Sequence, residues 1–361
     1  MPAPNVLFVV HGMGTNLEAA AEPTAWFKEV ETALHTAWGR FPSLAEENFA
    51  DYIELCPLSY DQRFRQYTGR VAAAGEKLKG KLGNARYAQA LATIGGAGAD
   101  DEENFLWANV MDVLLYRLGS DFNVEVQVAL QLQLAKKVRE VWAANTGAPA
   151  QFSMLSHSLG TAVAHGMLQR LALGAIGDSD VFKLGSNFKL RCYMTLANVS
   201  RLMFRPGGSI YDKTLIRPGK YVESFLNARH IADPVPAPFK FAPPAWGPGY
   251  REIPIQCFRQ PNLHAFTHYL DHPAVTGALF RSLVPFLVQQ AEVDAVVATY
   301  PDVDNPDEQR CLSIERVIAD IAHELHVAYN DETHLLSDSV ELLAGVARRA
   351  WENRKALGAL T

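Results

Sequence analysis

Phe152-Ser153-Met154-Leu155-Ser156-His157-Ser158-Leu159-Gly160-Thr161-Ala162-Val163-Ala164 runs from an apolar, strand-like segment through a tight turn into an alanine-rich helix start, with no spacer between them. A serine on such a turn sits in a strained backbone conformation, so the residues two before and two after it must be small. Ser156 and Gly160 meet that requirement. The helix start also brings N–H groups and the positive end of its dipole beside Ser158, where they stabilise negative charge. The pattern predicts a nucleophilic serine presented at a strand end. The competing reading is an ordinary strand–turn–helix junction with a capping serine.

On either side of this segment, short apolar β-rich runs alternate with helical patterns, the signature of a mostly parallel sheet covered by helices on both faces. Strands are predicted over 6–10, 52–58, 151–155, 190–196, 221–226 and 253–258. Between the second and third lies a helical insertion, 59–145. Its clearest part, 124–142, spaces Val126, Leu130, Leu134, Val138 and Trp142 four residues apart as a core-facing stripe. The irregular part, 59–105, contains Gly75, Gly80, Gly83 and a glycine-rich acidic loop at 95–103, and reads as a cap, lid or mobile loop. Residues 234–249 read as an irregular excursion carrying Phe239, Phe241 and Trp246. After 273 the pattern is helical, interrupted by a linker at 300–306. The expected organisation is an α/β domain over 1–295 and a helical C-terminal extension over 296–361.

With 361 residues, 48% of them hydrophobic and 20% charged, the chain can bury a substantial core. A net charge of −6 provides no global attraction to nucleic acid or anionic lipid. The local basic run Lys77, Lys79, Lys81 and Arg86 reads as a solvated face. Cys56, Cys192, Cys257 and Cys311 form no CxxC pair, and three sit in strand-like runs, which argues for reduced thiols rather than a disulfide or zinc framework. No positively charged leader precedes the first strand, and no apolar stretch is long enough to span a bilayer, so a cytoplasmic protein is expected.

Three further segments carry chemistry. Leu7-Phe8-Val9-Val10-His11-Gly12-Met13-Gly14-Thr15 leads from a strand into glycines that let the backbone aim an N–H at a developing oxyanion. The N–H groups of Met13 and Leu159 are the expected donors. Phosphate binding is the rival, but neither a Walker-A lysine nor a GxGxxG is present. Asn227-Ala228-Arg229-His230-Ile231-Ala232-Asp233-Pro234 places Asp233 at a turn after a strand, where a carboxylate orients an imidazole. The bland alternative is an Asp-Pro turn former. Leu263-His264-Ala265-Phe266-Thr267-His268-Tyr269-Leu270-Asp271-His272-Pro273 offers three histidines downstream of that acid, in the order Ser…Asp…His.

These segments together resemble the α/β-hydrolase superfamily and, within it, the serine lipases and esterases. His11-Gly12-Met13-Gly14 resembles the lipase oxyanion loop, and Ser156-His157-Ser158-Leu159-Gly160 is similar to the frequent Gly-His-Ser-Leu-Gly elbow. Asp233-Pro234-Val235-Pro236 resembles the Asp-x-Val-Pro turn of fungal-type triglyceride lipases. His264 has the spacing to Tyr269-Leu270 of their His-x4-Tyr-Trp. Two departures stand out: Ser156 replaces the first elbow glycine, and Leu196-Ala197-Asn198-Val199-Ser200 lacks the Gly-Ser-Pro many of these lipases carry. The resemblance implies an α/β-hydrolase fold and a serine esterase with Ser158 as nucleophile, His264 as base and Asp233 as its orienting acid. His268 is the alternative base, and His272, before a proline, the least suited. The implied partner is a small-molecule or lipid ester, with Met13 and Phe239 available to line an acyl pocket. No metal or organic cofactor, nucleic acid or integral membrane segment is implied. The same triad also serves thioesterases, amidases and acyltransferases, and a non-catalytic binding protein on this fold is the alternative of a different class.

Overall fold

In a computed structural model the chain is described over residues 5–12, 25–63, 66, 120–145, 150–174, 184, 188–203, 214–231, 233, 236, 241–243, 246–257 and 263–300. Met13, the basic run at 77–86, the loop 95–103, Phe239, Cys311 and residues 301–361 lie outside these.

Among the described residues six strands form one all-parallel sheet: β1 (Asn5–Val10), β2 (Ile53–Leu58), β3 (Gln151–His157), β4 (Leu190–Leu196), β5 (Val222–His230) and β6 (Tyr250–Ile255), in the order β2-β1-β3-β4-β5-β6. The helices are α1 (Ala25–Trp38), α2 (Ser120–Ala144), α3 (Leu159–Leu173), α4 (Phe266–Asp271), α5 (Pro273–Leu283) and α6 (Gln290–Thr299). Strand composition follows position in the sheet. A central parallel strand is covered on both faces and reads as an unbroken apolar run; β1 is buried at every position. The outer strands β2 and β6 each contain a proline, Pro57 and Pro254, which an edge strand tolerates because one side needs no ladder donor.

Each face of the sheet carries its own core. Val6, Phe8 and Val10 pack with Val126, Leu130 and Leu134 of α2 and Val163 and Met167 of α3. The alternate residues, Leu7 and Val9, share a cluster with Val30 and Leu34 of α1 and Val275 and Leu279 of α5. The chain therefore leaves β1 across one face and β3 across the other. The β1/β3 boundary is the point where crossovers reverse direction, and in open α/β sheets ligands bind outside the strand carboxyl ends at such a point. His11-Gly12 and Ser158 occupy those ends. Among the described residues, no helix is long and apolar enough to cross a membrane.

Several boundaries differ from expectation, each for a physical reason. β5 continues through Asn227, Arg229 and His230 because the tertiary structure satisfies these polar side chains. Thr195 Oγ1 donates to Asn227 Oδ1 at 2.8 Å, and His230 Nε2 donates to the Cys257 carbonyl at 2.8 Å. β6 begins at Tyr250 and ends at Ile255, earlier than expected, because its register starts where Tyr250 pairs with Phe225. In α2 the stripe holds from Val126 to Val138, all fully buried, but Trp142 is 37% exposed and Val141 turns inward instead. A strict four-residue spacing advances by about 40° per step on a helix of 3.6 residues per turn, so it drifts off the core. The described part of the 59–145 insertion is largely this helix, packed on the sheet as the β2–β3 crossover. Phe241 and Trp246 of the 234–249 excursion pack on Phe225 and Tyr250, because the β5–β6 connection must return across the sheet. The boundary drawn at 295/296 falls within α6, whose Val293 is buried. Cys56 and Cys192 carry free thiols.

Leu134 and Leu132 lie on the same helix at 0% and 37% exposure. Leu134→Ala should therefore lose about 2–5 kcal/mol of unfolding free energy, and Leu132→Ala less than about 1 kcal/mol, in urea titrations. Equal losses would contradict this packing.

Candidate active site

β3 ends at His157, and Ser158 follows with φ 52 and ψ −130 before α3 begins at Leu159. A non-glycine residue in this region stores about 1–3 kcal/mol, which the surroundings must offset. Ser158 N–H donates to the Leu196 carbonyl at 3.0 Å, extending the β3–β4 ladder. Its own carbonyl accepts from Thr161 N–H at 2.9 Å and Thr161 Oγ1 at 2.7 Å. Thr161 Oγ1 in turn accepts from Val199 N–H at 3.1 Å, pinning the loop after β4 to the same turn. That loop holds Ala197 at φ 48, a second strained residue, beside the elbow.

Two glycines are required by close approach. A Cβ on Gly12 would lie 2.7 Å from Leu159 N and from Ser158 Cβ. A Cβ on Gly160 would lie 2.8 Å from the Val10 carbonyl oxygen. The segment after β1 and the start of α3 thus meet backbone to backbone. Ser156, by contrast, has a partner for its hydroxyl: Oγ donates to Tyr193 Oη at 3.2 Å, and Tyr193 Oη donates to the Thr161 carbonyl at 3.2 Å. The Ser156 hydroxyl therefore ties β3, β4 and the first turn of α3 together.

His264 precedes α4, and its Nε2 lies 2.7 Å from Ser158 Oγ. Its Nδ1 lies 3.0 and 2.9 Å from the two Asp233 carboxylate oxygens. A carboxylate only accepts, so Nδ1 carries the hydrogen and Nε2 is left to accept from the Ser158 hydroxyl. All three side chains are at most 2% exposed. Tyr269 Oη donates to Asp233 Oδ2 at 2.7 Å and accepts from His230 N–H at 3.2 Å. Burial first, and then the Asp233 charge, push the Tyr269 phenol well above its usual pKa, so it remains a donor. His264 and Tyr269 therefore converge on one carboxylate from the two ends of a five-residue spacing.

The other histidines lie elsewhere. His268 packs against the His230 ring at 5.2 Å. His272 caps α5 by accepting from Ala274 N–H at 3.2 Å. His11 sits among Trp26, His157 and Phe266, with ring centroids 5.2, 5.4 and 5.6 Å away. Leu159, at the first position of α3, has no intrahelical partner for its N–H by construction of the helix. At the far end of α4, the Arg40 guanidinium forks onto the carboxylate and main-chain carbonyl of Asp271, anchoring the helix that follows His264. The roles of Tyr269, Thr161 and Tyr193 were not read from the sequence. Only the Tyr269 spacing left a signal there.

Tyr269→Phe removes a donor to a buried carboxylate and an acceptor for a buried N–H. It should cost about 1–3 kcal/mol in urea unfolding, and unchanged stability would contradict the bridge. A second expectation concerns pH. Burial lowers His11, His165 and His230 from 6.5 to about 4. Below 6.5 the unfolded chain takes up protons that the folded chain refuses, so the stability present above 6.5 is lost as pH falls toward 4. The scale is about 1.4 kcal/mol per histidine for each unit of separation. Unfolding free energies that stay flat across this window would contradict it.

No family model, curated protein or solved structure matches this chain.

Proposed function

We propose that this chain is a serine hydrolase of carboxylic esters, lipase- or esterase-like, on an α/β-hydrolase fold. The observation that carries the reading is the buried alignment of Asp233, His264 and Ser158, with the serine at φ 52 on a strand-to-helix turn and its Oγ 2.7 Å from His264 Nε2. A structural serine needs neither the strained backbone nor a ring nitrogen aimed at its oxygen, whereas an activated nucleophile needs both.

In the proposed reaction, Ser158 Oγ forms a bond to the ester carbonyl carbon as its proton passes to His264 Nε2. Asp233 stabilises the resulting imidazolium without taking the proton. The oxyanion is held by the N–H groups of Leu159 and Met13, each contributing on the order of 10²–10³ in rate. Collapse of the adduct breaks the bond to the alcohol oxygen, which leaves with the proton from His264. Water then attacks the acyl-enzyme, giving its proton to His264. The carboxylic acid departs as Ser158 recovers its hydrogen. The helix dipole of α3 points its positive end at this charge.

A fluorophosphonate should form one covalent adduct, located by mass spectrometry on Ser158, and Ser158→Ala should lower turnover of an activated ester by about 10⁶-fold. An adduct on Ser153 or Ser156, or none, would sink the assignment. His264→Ala should lose several orders of magnitude in turnover and His268→Ala little, with folding followed by circular dichroism. The reverse result would move the base to His268.

A further inference from the structure

His157, the last residue of β3, is the immediate neighbour of Ser158 and takes no part in the proton relay, yet its imidazole is 3% exposed. Its Nε2 lies 2.7 Å from the main-chain oxygen of His264. A carbonyl can only accept, so Nε2 carries the hydrogen and donates it. Burial, reinforced by the neighbouring His264 and His11 rings, holds His157 well below its usual pKa, so the ring is neutral and has one hydrogen to give. Nδ1 has no hydrogen-bond partner among the described residues. The ring is fixed by a parallel stack on Phe266, 4.9 Å away at 15°. A buried nitrogen without a partner costs on the order of 1–3 kcal/mol. An apolar ring would fill the same slot without that penalty, so packing alone gives no reason for an imidazole here.

We propose that His157 is a positioning residue for the base: the strand that ends in the nucleophile also holds, through the Nε2–H···O=C bond, the backbone of the residue that activates it. His157, the last residue of β3, and Ser158, the next in the chain, thereby hold the base together, Ser158 meeting the His264 imidazole and His157 the His264 main chain. Displacing a reacting group by about 1 Å can cost 10²-fold in rate. A short bond to the backbone of His264 limits that displacement without touching the imidazole that must accept and release the proton. The consequence for rate rests on the hydrolase reading of Ser158 and His264. The bond itself does not.

Two measurements test it on the full-length protein. Two-bond ¹H–¹⁵N NMR of histidine-labelled protein, assigned with His157→Gln, should find His157 as the neutral Nε2–H tautomer between about pH 8 and 5.5. An Nδ1–H tautomer, or protonation in that range, would overturn the proposal. His157→Phe keeps the ring and its stack on Phe266 but removes the donor. It should lower kcat on an activated ester about ten- to hundredfold, as loss of a group that orients a reacting residue does, with KM within about twofold. His157→Gln places an amide N–H near the position of Nε2 and should recover most of that loss. A Phe variant as fast as the parent, or a Gln variant as slow as the Phe one at equal stability, would overturn the proposal. If the variants fail to fold, the tautomer in the parent protein decides. If the parent takes no fluorophosphonate adduct, the hydrolase reading fails and the tautomer still decides whether the bond exists.

Discussion

Where the carboxyl ends of β1 and β3 lie side by side, the backbone at 10–12 and that at 158–160 approach so closely that neither Gly12 nor Gly160 has room for a Cβ. Much of the candidate site depends on this contact. It forces the chain to turn sharply out of β3, which places Ser158 at φ 52 and starts α3 one residue later. It also sets the segment after β1 directly against the first N–H of that helix, where charge on an oxygen at the serine is stabilised by the helix terminus. The strain is held by bonds that converge on the turn from β4, from Thr161 and from the loop after β4.

The second constraint is electrostatic. Asp233 is fully buried, and a buried carboxylate is tolerated only when its oxygens are bonded. His264 and Tyr269 supply those bonds, so the imidazole, the carboxylate and the phenol form one hydrogen-bonded unit. Around this unit the other imidazoles are held neutral: His11, His157, His230 and His268 are all pushed down, chiefly by burial. In the proposed reaction this has a purpose. A positive charge that forms on His264 meets one carboxylate and no competing imidazolium.

The sequence by itself determined the class of the fold and the names of the residues that meet. Apolar runs of strand length separated by helical periodicity specify a parallel sheet, because burial on both faces leaves no room for alternation. The expected strand over 190–196 coincides with Leu190–Leu196, and the expected serine, acid and favoured histidine are the three that come together. Short-range chemistry made them legible: a small-residue turn, an Asp-Pro corner and a His-to-Tyr spacing each act within a few residues of chain.

What only the tertiary structure decided were the features that depend on partners far away in sequence. The polar end of β5 is strand because Thr195 and the Cys257 carbonyl satisfy it. The buried Ser156 hydroxyl is satisfied because Tyr193 lies within reach. Residues 264, 268 and 272 all fall near an acid in the chain, and their separate placements depend on how α4 and α5 pack, as does the bond from His157 to the His264 backbone. Periodicity and turn chemistry report the local backbone. Which buried donor finds which acceptor is settled by packing across the sheet, and that information is spread over contacts no short window of sequence contains.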